Sequence, residues 1–182
     1  MNDLYKTLIS HENIHNAYLK ARICKRYRKS ILRFGFKLED NLAQIKRELS
    51  DKSYEHGGYK DFIVNDSKRR LIKVAPFRDR VIHHALCNVI EPILDKTFIF
   101  DSYACRKGKG THMAVKRLEK FMRSERERER EDTLYKTRNR NRASLSIFCL
   151  KCDISKYFNS VDQDILLGLL SKKISDKTFR KY

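Results

Sequence analysis

Apolar residues recur every three or four positions along much of the N-terminal half, the spacing of a helix with one buried face. Met1 leads into a polar, helix-like stretch, and Ile14, Ala17, Tyr18 and Ala21 predict an amphipathic helix near residues 12–23. Leu38, Leu42, Ile45 and Leu49 predict a second. Gly57 and Gly58 break the pattern. Phe62 to Val64 and Arg70 to Ala75 then read as two short strands, with turn chemistry at Asn65, Asp66 and Ser67. Arg70, Ile72 and Val74 fall on one face of the second strand, and Pro76 ends it. Val81, Ile82, Ala85, Leu86, Val89 and Ile90 form a strong helical stripe that Pro92 is expected to kink or end. Gly108 and Gly110 flank a basic loop. Thr111 is placed to cap the next helix, whose apolar face is Ala114, Leu118, Phe121 and Met122. Leu145 to Cys152 is a nearly unbroken apolar run of strand length, expected to be buried, with Asp153 at its end. Ile165, Leu166, Leu169 and Leu170 open a last amphipathic helix, with Asp162 as its cap. No internal repeat is visible. The elements define an α+β class, with helices packed on short antiparallel sheets, and 182 residues suit one ordinary domain or two small ones.

Charge narrows the function. Against 23 acidic residues stand 41 Lys and Arg, a net of +18, which calls for a polyanionic partner. A membrane surface is polyanionic too. Yet the chain has no apolar run of about 18 residues and no signal-peptide pattern, so a soluble, cytoplasmic protein without membrane partners is expected. Lys20 to Lys37 holds eight basic residues and no acid, interleaved with Tyr27, Phe34 and Phe36. Cations that pair with phosphates and rings that stack on bases suit single-stranded or structured RNA. The same stretch also reads as a solvated helix face with packing aromatics. On the first reading Lys25, Arg26, Arg28 and Lys29 are the nucleic-acid contacts, joined by Lys107 and Lys109 of the glycine-flanked loop. Glu125 to Glu131 alternates strictly with Arg and leads to Lys136–Arg142 without an apolar face, either a solvated helix extension or a disordered insertion. Residues 123–142 carry only +3 of the +18.

Five cysteines without framework spacing read as reduced thiols. Cys149 and Cys152 form a lone CxxC on the expected strand, where core packing fits better than zinc. His83 and His84 point about 100° apart on a helix and make a poor metal pair. His11 and His15 are better spaced but lack a third ligand.

The most informative stretch runs from Lys151 through Asp153 and Phe158 to Asp162. A carboxylate at the end of a buried strand, followed by a tight turn, is how polymerase palms hold a divalent metal that activates a 3′-hydroxyl. Oxygen ligands of this kind suit Mg²⁺. Alone, Asp153 would read rather as a helix cap or a surface turn. It stands with ordered blocks: Lys68 to Arg80, Ala85–Leu86, Glu91 to Ile93, Phe98, Ser102 to Gly110 and Ala114. Together, over about residues 55–170, they resemble the bacterial reverse transcriptases of the group II intron and diversity-generating retroelement branch. The resemblance implies a partial right-hand polymerase. A basic helical arm would cover 1–52, the fingers 53–122, the charged insertion 123–143 and the start of the palm 144–182. It implies RNA-templated DNA synthesis from a DNA or RNA primer and deoxynucleoside triphosphates, with two Mg²⁺ ions in the complete enzyme. A basic accessory protein is a further implied partner. Asp153 matches the first metal-binding aspartate and Ile154 a carbonyl ligand beside it. Phe158 matches the sugar-selecting aromatic, and Arg70, Lys68 and Arg106 match nucleotide-contacting positions. Asp79 and Arg80 match a fingers pair read as structural, the acid lying in the first turn of a helix where the dipole favours it.

Two departures stand out. Ser102 to Gly108 reads Ser-Tyr-Ala-Cys-Arg-Lys-Gly where the intron branch has Ser-Tyr-Gly-Phe-Arg-Pro-Gly, closer to the retroelement branch. The Tyr-x-Asp-Asp turn is absent, and the only acids after Asp153 are Asp162, Asp164 and Asp176. The expectation is therefore the front half of a reverse transcriptase that lacks a second catalytic carboxylate and is inactive by itself. A non-catalytic RNA-binding module, or one half of a split polymerase, are the competing expectations.

Overall fold

The computed structural model describes residues 4–66, 68–136, 148–174 and 176. The chain divides into two compact units, Met1–Lys96 with Gln163–Tyr182, and Thr97–Asp162.

The first unit opens with four helices: α1 (Leu4–Leu8), α2 (His11–Ala21), α3 (Lys29–Phe36) and α4 (Leu38–Ser50). Ser10 caps α2 by accepting a hydrogen bond from the Asn13 amide, satisfying one of the open donors of the first turn. The predicted stripes are the buried ones: Ile14, Ala17, Tyr18 and Ala21 of α2, and Leu42, Ile45 and Leu49 of α4. The basic stretch conceals α3, which buries Ile31 and Phe34 between its cations. Strands β1 (Lys60–Asn65) and β2 (Arg69–Val74) pair antiparallel, with Phe62 opposite Ile72 and Val64 opposite Arg70. Every residue of β1 is exposed. Helix α5 (Phe77–Asp95) follows, burying Phe77, Val81, Ile82, Ala85 and Val89. Pro92 lies inside α5 and does not end it. The core gathers around Tyr18, Phe34 and Phe77, whose ring centroids lie 5.8, 6.2 and 5.2 Å apart, two of the three contacts being edge-on. Such contacts add about 0.5–1.5 kcal/mol each beyond burial. Tyr18 leaves little room beside it, since a Cβ on Gly35 would sit 3.2 Å from its hydroxyl. This unit also receives α8 (Gln163–Lys173), the eighth helix among the described residues; the buried Ile174 joins the core and Asp176 accepts from the Tyr5 amide.

In the second unit, α6 (Thr111–Lys136) carries the chain through the Arg/Glu alternation as helix, while residues 137–143 of that expected insertion lie outside the described residues. Thr111 is the first helical residue rather than the one preceding the helix. Helix α7 (Tyr157–Ser160) is a single turn entered through Lys156 at φ 51°. One expectation fails here. The described part of the Leu145–Cys152 run is neither a strand nor buried: Phe148 and Leu150 are 92% and 88% exposed. An apolar run becomes a strand only with a neighbour to take its backbone hydrogen bonds, and the described residues supply none. Cys149 and Cys152 are likewise exposed, which overturns their reading as core residues. Among the described residues no helix is long and apolar enough to cross a membrane.

Candidate nucleic-acid interface

The segment joining α2 to α3 runs from Arg22 to Arg28 and projects its cations outward. Lys25, Arg26, Arg28 and Lys29 are all exposed, and none forms an ion pair with a described residue. Tyr27 between them is 76% exposed, with its ring face open. Of the other two aromatics of the stretch, Phe34 is buried in the core, as the packing reading expects, and Phe36 is exposed.

Helix α5 completes the surface. Arg80, His84 and Asn88 follow one another at i, i+4 and i+8, one stripe about 12 Å long. Each lies beside the arm. Arg80 has its guanidinium 5.2 Å above the Phe77 ring, and burial together with the nearby Arg28 charge lowers its pKa from the ordinary arginine value. Its Nε is buried with no hydrogen-bond partner. His84 is pushed down by burial first and then by Lys20, with Lys25 adding to the effect and Glu91 opposing it. Asn88 accepts a hydrogen bond from the Lys20 ammonium. A seam of positive charge thus runs between the arm and α5, with like charges held together. Such an arrangement is costly until an anion neutralises it. Sequence reading located the arm and missed the α5 stripe. The available signal was the spacing of Arg80, His84 and Asn88 at intervals of four, on the face of the helix away from its apolar stripe.

The start of α5 is fixed by Asp79, only 1% exposed. Its carboxylate accepts from the Tyr54 hydroxyl at 3.1 Å and the Gly57 amide at 2.9 Å. The Arg78 guanidinium and the His56 ring stand 3.8 and 3.9 Å away. Arg78 also pairs with Glu48 of α4. Gly57 lets the chain pass close here: a Cβ would lie 3.0 Å from both the Asp79 carboxylate and the Pro76 ring, and one of them would have to give by a few tenths of an ångström. Burial raises the Tyr54 hydroxyl pKa strongly, and its bond to Asp79 raises it further. Asp79 therefore does more than the expected first-turn charge: it ties the chain leaving α4 to the head of α5.

The remaining predicted residues are dispersed. Lys68 and Arg70 are exposed at the hairpin turn and on β2. In the second unit, Arg106 donates to the carbonyls of Ile99 and Ser102 at 3.1 and 3.2 Å and covers the Phe98 ring. Lys109 donates to the Phe100 carbonyl and lies 4.3 Å from that ring's centroid. Tyr103 donates to Asp101, whose carboxylate the hydrogen bond from Arg117 holds below its usual pKa. These groups organise the loop from Phe98 to Gly110, while Lys107 is exposed. Asp153 and Ile154 are exposed in irregular chain, and Phe158 is 90% exposed with its ring against Tyr157 at 5.3 Å. Among the described residues no three His, Cys, Asp or Glu side chains converge as a metal centre. Asp153 with the Ile154 carbonyl is too small a donor set to fix two divalent ions, so the described residues do not by themselves fit the Mg²⁺ pair.

No family model matches the chain. Over 144 residues it is 24% identical to "Nuclear intron maturase 1, mitochondrial" of Arabidopsis thaliana, a match covering 78% of this chain and 17% of that protein. The chain thus spans about a sixth of the length of the curated relative it matches, and its likeness is to an intron maturase.

Proposed function

We propose that the chain binds RNA along the seam between the basic arm and α5, as the fingers-side portion of a reverse-transcriptase-related protein of the intron-maturase kind. The observation that carries this reading is the set of cations without carboxylate partners: Lys25, Arg26, Arg28 and Lys29, with Arg28 set against the half-buried Arg80. Phosphates would neutralise charges that the fold brings together and leaves unpaired. The likeness to an intron maturase supports RNA as the polyanion.

In the whole protein, RNA-templated DNA synthesis with two Mg²⁺ ions is the fuller proposal. Asp153 and Ile154 would then contribute to the metal site, Phe158 would select the sugar, and Lys68, Arg70 and Arg106 would contact the nucleotide. Because the described residues do not assemble that metal site, no catalytic step is assigned to this chain. RNA binding tests the reading directly. Affinity should fall steeply with salt, and replacing Lys25, Arg26, Arg28 and Lys29 by Gln should flatten the log–log salt slope by about 3. Asp153→Asn should leave binding unchanged. An unaltered slope in the fourfold variant would refute the seam. Primer extension on an RNA template with Mg²⁺ should give no product from the 182-residue chain, and Asp153-dependent product would refute the assignment of an incomplete metal site.

A further inference from the structure

Where the seam reaches Asn88, the surface opens into a groove of about 530 Å³. That lies within the range, about 300–1,000 Å³, of pockets that hold small ligands. All its walls belong to the first unit and come from α2, the arm and α5. Lys20 and Arg26 supply charge, Leu19 and Ile23 an apolar surface, and Asn16 and Asn88 amides; no carboxylate lines it.

The amide of Asn88 is held in one orientation. Asn13 Nδ2 donates to two backbone carbonyls, Leu8 and Ala85, both at 3.1 Å. Carbonyls only accept, so the Asn13 amide cannot turn over, and its Oδ1 must face Asn88. Asn88 Nδ2 donates to that oxygen at 2.9 Å, which leaves Asn88 Oδ1 toward Lys20. Flipping either amide would set donor against donor. Asn88 therefore presents a fixed acceptor and one remaining N–H. On the facing helix, the exposed Asn16 amide makes no hydrogen bond with a described residue. Leu19 and Ile23 are 37% and 56% exposed, apolar surface turned to solvent between cations.

We infer that this groove takes a single unpaired nucleotide of a structured RNA, its base against Leu19 and Ile23, its edge read by Asn16 and Asn88, and its phosphates on Lys20 and Arg26. The inference rests on the RNA-binding reading of the seam and adds the class of RNA: one with a bulged or looped-out base. Fully paired RNA keeps its bases stacked and their Watson–Crick edges engaged, so it has no single base to place in the groove. An acidic peptide would satisfy the cations and leave the apolar surface and the oriented amides unused.

The test compares two RNA hairpins of equal length and charge, one fully paired and one with a single bulged 2-aminopurine. The full chain should bind the bulged RNA about tenfold more tightly, about 1.4 kcal/mol, as one engaged base would give. The 2-aminopurine fluorescence should change on binding. Asn16→Ala and Ile23→Ser, both at exposed positions, should reduce the preference to about twofold and leave affinity for the paired hairpin within about twofold. Equal affinity of the wild-type chain for both RNAs overturns the groove and leaves the seam standing. A preference that survives both substitutions also overturns the groove. Failure to bind either RNA at low salt overturns the RNA reading itself. Displacement of the bulged RNA by a polyglutamate peptide as readily as by unlabelled bulged RNA assigns the groove to acidic peptides and overturns the proposal.

Discussion

Replacing Asp79 by alanine should be among the most damaging single changes in the first unit. The carboxylate is buried and accepts from the Tyr54 hydroxyl and the Gly57 amide. Hydrogen bonds to a charged group contribute about 1.5–3 kcal/mol each. Tyr54 and Gly57 are half-buried, so water would recover part of both, which favours the low end of the range. The charge in the first turn of α5 adds about 0.5 kcal/mol through the helix dipole. The sum is about 3.5 kcal/mol. For a domain of this size a urea slope of about 2 kcal/mol/M turns that into a midpoint shift of about 1.75 M, read from the helical circular-dichroism signal. Asp79→Asn keeps one acceptor and gains a donor that the Tyr54 oxygen can accept, so its cost should be nearer 1 kcal/mol. Tyr54→Phe should also cost about 1 kcal/mol, and the Asp79→Ala, Tyr54→Phe double variant should fall short of the summed costs by a similar amount. A midpoint shift under about 0.3 M for Asp79→Ala, or strict additivity in the cycle, would refute the account of this residue as a tie between α4 and α5.

Acid should weaken the fold before carboxylates titrate. Burial, with His56 nearby, lowers the His83 pKa against the pull of Asp79, and burial with Lys20 and Lys25 lowers that of His84 against Glu91. Below about pH 6.5 the unfolded chain therefore takes up protons that the folded chain resists, and stability falls with pH. Urea midpoints across that range should flatten in the His83→Gln, His84→Gln variant, and an unchanged profile would count against it. On α8, Leu166 and Leu169 are 44% and 55% exposed, so Leu166→Glu or Leu169→Glu should move stability by no more than about 0.5 kcal/mol while raising solubility in light scattering. A loss of several kcal/mol in either would show that this face is packed.

The sequence was most legible where the interaction partners lie within one or two helical turns. The stripes of α2, α4 and α5 follow from their own spacing, and the hairpin from turn residues flanked by β-branched ones. Helix α3 was masked because its two core residues, Ile31 and Phe34, sit in a field of cations, and charge outweighed periodicity in the reading. Asp79 and Asn88 were harder. Their partners are 22 residues away at Gly57 and 75 residues away at Asn13, and no local pattern reports a hydrogen bond at that range. The apolar run ending at Cys152 shows the converse. Composition made it a buried strand, but pairing is a property of two segments, and the described chain holds only one of them.

The hairpin has a mechanical consequence. Its two ends converge at the Gly57–Pro76 contact beneath Asp79, while β1 is exposed along its whole length and Phe62, Ile63 and Leu71 face solvent. It is a cantilever, rooted at Gly57 and Pro76, with the exposed Lys68 and Arg70 near its free end. A two-stranded ribbon by itself is only marginally stable in water. A force on those tip cations would therefore bend or fray the ribbon itself before it disturbed the packed root at Asp79.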